Sequence, residues 1–140
     1  MVVPACENRA MPRPRLLVLL VLVSGLAVAG CGGGTKTYSA AKTRACLVKN
    51  GRVVTDVPPA DLVASAAEGG SFAVHFGANI AIVSFGSDRA GAERIVRAYQ
   101  RFRGKNIGLL DVLHADNNAV VLWAVHPLDD HVRAIDDCLA

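Results

Sequence analysis

The chain has 140 residues, 52% of them hydrophobic, with 15 basic and 12 acidic side chains and a net charge of +3. Arg9, Arg13, Arg15 and Glu7 precede Cys31, which leaves 12 basic and 11 acidic residues from Cys31 onward. That length holds one domain rather than several, and a nearly neutral remainder has no electrostatic footprint for nucleic acid as a partner.

Arg13 and Arg15 lead into an unbroken apolar run, Leu16 to Ala29. About 14 residues suit the hydrophobic region of a secretion signal and fall short of a bilayer-spanning helix. The run ends in Val28-Ala29-Gly30-Cys31. This resembles the lipobox of bacterial lipoproteins, in which an aliphatic residue and two small ones precede cysteine. The resemblance implies that a diacylglyceryl group is added to the Cys31 thiol and that a signal peptidase cuts between Gly30 and Cys31. A thiol is required there because it is the acyl-carrying nucleophile, and two acyl chains suffice for stable attachment where one does not. The implied location is the cell membrane, lipid-anchored on the extracytoplasmic side, with no cofactor beyond the lipid on Cys31. Residues 1–10 fit no signal pattern, whereas Met11 opens a compact one, so translation is expected to start at Met11.

From Cys31 to Tyr38 a glycine-rich stretch reads as a flexible tether, and residues 39–140 as one α+β domain. Ser39 is placed to cap a helix over Ala40 to Lys49, stopped by Asn50-Gly51. Arg52 to Val57 reads as a short strand. Pro58-Pro59 open a second helix running through about Ala67, with Asp61 in its first turn. Ser71 to Phe76 and Asn79 to Phe85 form a hairpin around Gly77-Ala78. A long helix over Arg89 to Arg103 is capped by Ser87 or Asp88 and closed by Gly104, with Ala92, Ile95, Val96, Tyr99 and Phe102 as its apolar stripe. Gly108 to Ala115 and Ala119 to Val125 make a second hairpin around Asp116-Asn117-Asn118. After Pro127 a last helix carries Leu128, Val132, Ile135 and Leu139 on one face and Asp129 and Asp130 in its first turn.

The order α-β-α-β-β-α-β-β-α predicts an α+β, two-layer sandwich: an antiparallel-rich sheet built from two hairpins, with helices packed on it. The first hairpin is apolar on both faces, with Phe72, Val74 and Val83 on one and Ala73, Ile80 and Ile82 on the other. Strands of that kind are buried on both sides. Either helices cover both faces, which the four available helices favour, or a second copy completes one of them.

Four cysteines have separate fates. Cys6 lies before the cleavage site and Cys31 is lipidated. Cys46 and Cys138 remain, in the first and last helices of an exported domain, where leftover cysteines pair. Their bridge would close a 92-residue separation.

Candidate chemistry is sparse. His75 and His114 fall on strands of different hairpins and would make a metal or hydrolytic site if they met on the sheet, with Asp111 or Asp116 as a third ligand. No histidine pair has the close spacing of zinc motifs, so satisfied or exposed histidines are the plainer reading. Gly86-Ser87-Asp88-Arg89-Ala90-Gly91 joins strand to helix as phosphate loops do, but Ala92-Glu93 stand where Lys-Ser/Thr would follow. Arg89, Arg94, Arg97, Arg101, Arg103 and Lys105 concentrate positive charge on the long helix and its end, either as a solvated face or as a contact for anionic lipid headgroups or cell-wall polymer. Asp129, Asp130, Asp136 and Asp137 would offset it if the two helices were neighbours. Trp123 and Tyr99 belong to the core. These features point to a membrane-anchored, non-enzymatic binding domain of the cell envelope. The alternatives are a small hydrolase or metal-binding domain using His75 and His114, and a homodimeric structural protein.

Overall fold

The protein is described here from a computed structural model covering residues 36–102 and 109–140. The expected signal and lipobox, with Gly30 and Cys31, and the positions Arg103, Gly104, Lys105 and Gly108 lie outside these residues. The elements are α1 (Ala40–Lys49), β1 (Val53–Thr55), α2 (Leu62–Ser65), β2 (Ser71–Phe76), β3 (Asn79–Phe85), α3 (Arg89–Phe102), α4 (Leu109–Val112), β4 (Leu113–Asp116), β5 (Ala119–Trp123) and α5 (Asp129–Asp136). The strands form one sheet in the order β1-β2-β3-β5-β4, and every pairing is antiparallel.

Both hairpins turn on two residues, with the first in the left-handed region: Gly77 (φ 62°) and Asn117 (φ 51°). That backbone twist matches the twist of the strands, and glycine and asparagine tolerate it best. The turns set the registers Phe72↔Val83 and Ala115↔Val120.

Side-chain alternation then makes two cores. Phe72, Val74, Phe76, Ala81, Val83, Phe85, Val121 and Trp123 face α1 and α5, and Leu47, Ile135, Cys138 and Leu139 close over them. Val120 and Leu122 face the other way, against Ala92, Ile95 and Tyr99 of α3, with Ile82 of β3 and Val63 of α2 beside them. The architecture is thus the α+β sandwich expected, with helices of the chain itself on both faces of the sheet, where the two-layer reading needs them on one. The doubly apolar first hairpin is explained without a second copy.

Several boundaries differ from the sequence reading, each for a local reason. The expected tether stops before Tyr38, which is buried. Its backbone N–H donates to Asn118 Oδ1 (2.6 Å), and Asn118 Nδ2 donates back to its carbonyl (3.0 Å). β1 is confined to Val53–Thr55, which pair with His75, Val74 and Ala73 of β2. The second helix starts at Leu62 rather than at the prolines. Asp61 turns back on Pro58 (N–H to carbonyl, 2.9 Å) and caps the helix by accepting the Ala64 N–H (3.0 Å), so it precedes the first turn instead of lying in it. The strand expected over Gly108 to Ala115 begins at Leu113, because Leu122 is the last β5 residue with a β4 partner. Leu109–Val112 instead satisfy their backbone groups locally, as the helical turn α4. β5 ends at Trp123, short of Val125.

Cys46 and Cys138 form a disulfide, with Cα atoms 5.5 Å apart. The bridge ties α1 to the residues just after α5, and the Ser39 N–H donates to the Ala140 carbonyl (2.6 Å) beside it. Both ends of the domain are thereby fastened on one face of the sheet.

Candidate binding groove

The residues singled out for metal or hydrolytic chemistry do not converge. His75 pairs with Val53 and Ile80, on the α2–α3 face. His114 pairs with Val121, on the α1–α5 face, three strands further across the sheet. The sheet separates the two rings. His75 shares a hydrogen bond with Thr55 Oγ1 (3.2 Å). His114 instead borders a shallow hollow with His126 and Asp129. His131 packs at a tilt on Phe76, 4.7 Å between ring centroids. Among the described residues no three His, Cys, Asp or Glu side chains are grouped to hold a metal ion.

The glycines at 86 and 91 serve packing rather than phosphate. A Cβ on Gly86 would stand 2.4 Å from the Ala92 nitrogen, and one on Gly91 would stand 2.9 Å from Gly86 Cα. The end of β3 and the first turn of α3 touch backbone to backbone. Asp88 caps that turn by accepting the Gly91 N–H (2.7 Å), which puts a carboxylate where an anion would have to bind. Trp123 and Tyr99 are core residues, and Tyr99 turns its hydroxyl to the Asp61 carboxylate (3.2 Å).

The basic helix and the acidic helix are not neighbours. α3 lies on one face of the sheet and α5 on the other, so Asp129, Asp130, Asp136 and Asp137 do not offset the arginines. Glu93 and Glu68 do so in part: Arg89 and Arg97 pair with Glu93 (3.7 and 3.8 Å) and Arg94 with Glu68 (3.2 Å). All these side chains are more than half exposed, where such pairs contribute little stability. At the far edge of the α1–α5 face, the Asp116 carboxylate accepts the Tyr38 hydroxyl and holds its pKa above the ordinary tyrosine value.

The feature that sequence reasoning missed is a groove between α2 and α3. Two hollows, of about 300 and 400 Å³, share Leu62, Val63 and Phe102 in their walls. Ala66, Ala67, Gly91 and Ala98 keep the first one deep. The second runs on past Asp61 and Tyr99 to Pro58. Leu62 and Phe102 stand on the rim with 71% and 72% of their surface exposed, although Phe102 was expected in the buried stripe. Small residues seven apart on α3 (Gly91, Ala98) were the available signal, with Leu62 and Val63 across from them. No protein-family model, curated protein or solved structure matches this chain.

Proposed function

We propose that the chain is a lipid-anchored extracytoplasmic protein whose domain works by binding, through the groove between α2 and α3. The observation that carries this reading is the Cys46–Cys138 disulfide. Such cross-links form and persist in oxidising compartments, which accords with export and with the lipobox at Cys31. Binding rather than catalysis is favoured by the groove's lining. It is hydrocarbon apart from Glu68, Arg94 and the Asp61–Tyr99 pair, and these polar groups are bonded to one another or to a helix end. Among the described residues no helix is long and apolar enough to cross a membrane.

The test is the intact mass of the protein made in a bacterial host, with Cys31→Ser beside it. The expected product starts at Cys31, carries acyl mass and is two hydrogens lighter than the dithiol. Cys31→Ser should lose the acyl mass and leave the membrane fraction. An unacylated wild-type chain that retains the residues before Cys31 would overturn the anchor.

A further inference from the structure

We infer that the α2–α3 face docks flat on the anionic lipid surface to which the chain is tethered, with Leu62 and Phe102 entering the acyl region and α3 arginines meeting the phosphates. This rests on the anchored reading above.

The argument starts from helix geometry. Along α3, Gly91, Ile95, Ala98 and Phe102 face the groove. Arg94, Arg97 and Arg101 follow at spacings of three and four and form one column along the groove's outer edge. Glu93 lies on the far side of that column. Among the described residues Arg101 has no ion pair, and the pairs of Arg94 and Arg97 are exposed ones that a phosphate can replace. Across the groove, Pro58, Pro59, Ala60, Leu62 and Ala66 are exposed and carry no charge, and the two carboxylates of that wall are engaged, Glu68 with Arg94 and Asp61 with the Ala64 N–H and Tyr99. An apolar strip bordered by arginines is the pattern of a surface that lies in a membrane interface.

The opposite face does not have this pattern. There α5 carries Asp129, Asp130 and Asp136 against Arg133, and α1 beside it carries Lys42, Arg44 and Lys49. Its charges are mixed around its exposed apolar residues Val48 and Leu128, whereas the α3 column is basic throughout, so charge complementarity selects the α3 side.

The tether agrees. Asn118 Nδ2 donates to the carbonyls of both Tyr38 and Gly86, each at 3.0 Å. The chain therefore enters the fold one side chain away from Gly86, which lines the groove's end. The seven residues from Cys31 to Tyr38 reach about 23–25 Å when extended. The 14 residues of α3 are about 21 Å long. A lipid on Cys31 can thus share a bilayer surface with the whole groove.

The experiment uses the full chain with Phe102→Trp, reconstituted into vesicles of phosphatidylglycerol and phosphatidylcholine carrying bromine on their acyl chains. Phe102 is exposed, so the variant should fold, and Trp123 is buried as a constant background. Val48→Trp, on exposed α1, is the control. Docking predicts quenching and a blue shift for Phe102→Trp and neither for Val48→Trp. Arg97→Gln and Arg101→Gln should each lower the docked fraction about fivefold relative to the undocked. No quenching in protein whose intact mass includes the acyl chains would overturn docking while leaving the anchor in place. If the mass shows no acyl chain, the anchored reading fails by itself. Sedimentation with phosphatidylglycerol vesicles then decides docking, kept if binding depends on Arg97 and Arg101 and overturned if there is none.

Discussion

The two faces of the sheet are made from the same strands and have been finished differently. On the α1–α5 face, Phe72, Phe85, Leu47, Ile135 and Trp123 are at most 1% exposed, and the disulfide and the Ser39–Ala140 hydrogen bond fasten both chain ends over them. On the α2–α3 face the inner ring of Val120, Leu122, Ala92 and Tyr99 is equally dry. The next ring outward is not, because Leu62 and Phe102 are left in solvent beside an open groove. The strands contribute alternate residues to each face, so the asymmetry comes from the helices. α1 and α5 are joined covalently, whereas α2 is a four-residue turn that cannot cover the sheet beside α3. A domain of this size has little stability to spare. Concentrating it on one face leaves the other free to present apolar surface.

The largest test of that contrast is the disulfide. Closing a 92-residue loop removes unfolded-state entropy equivalent to about 4–5 kcal/mol in the chain-entropy model. Cys46→Ala/Cys138→Ala should lose an amount of that order in urea unfolding, with the midpoint falling and the slope rising, because the unfolded chain without the cross-link is less compact. If the double variant matches the wild type, the closed face is not held by its staple, and the contrast between faces loses its main support.

Next in size is a pair of aromatic truncations. Trp123 is 1% exposed and packs on Phe76 at 5.4 Å between centroids, so Trp123→Ala should cost about 3–5 kcal/mol. Phe102→Ala removes a ring that is 72% exposed and should change stability by less than about 0.5 kcal/mol. Thermal or urea unfolding of the two variants measures the gap directly. A loss at Phe102 comparable to that at Trp123 would mean that the groove rim is core, and not a surface held ready for a ligand.

Much of the fold was legible because it is local. β2 and β3 lie where alternation and the Gly77-Ala78 turn put them, and α1 and α3 begin where Ser39 and Asp88 cap or precede them. The cysteine pairing followed from the compartment that the lipobox implied. What was not legible depends on pairing between distant segments. Within a hairpin the turn sets which residues share a face. Between the hairpins that is decided by the β3–β5 register, Ala81↔Trp123, and this register puts His75 and His114 on opposite faces. The groove escaped notice for the same reason. Its walls, at Leu62 and at Phe102, are 40 residues apart, and each alone looks like an ordinary exposed hydrophobic. α2 was drawn too long because proline at a helix start and aspartate at a cap compete for the same boundary, and here the Asp61 carboxylate won.

The smallest effect concerns a cost carried by the closed face itself. Burial lifts the pKa of Asp136 above its ordinary value of 3.8, and the carboxylates of Asp116 and Asp137 add to the rise while His114 opposes it. The folded state therefore binds this proton more readily than the unfolded chain. Stability falls as pH rises from about 3.8 through the raised value, and the penalty is fully present at neutral pH. The side chain is still largely in solvent, which screens the repulsion, so the penalty should stay under about 0.5 kcal/mol. Asp136→Asn should accordingly raise the melting temperature slightly at pH 7 and leave it unchanged at pH 3, where both chains carry a neutral group at this position. A variant less stable than wild type at pH 7 would show that the charged carboxylate makes a favourable contact on α5. The acidic end of the closed face would then be part of what holds it together, and the division of labour between the two faces would be sharper than burial alone describes.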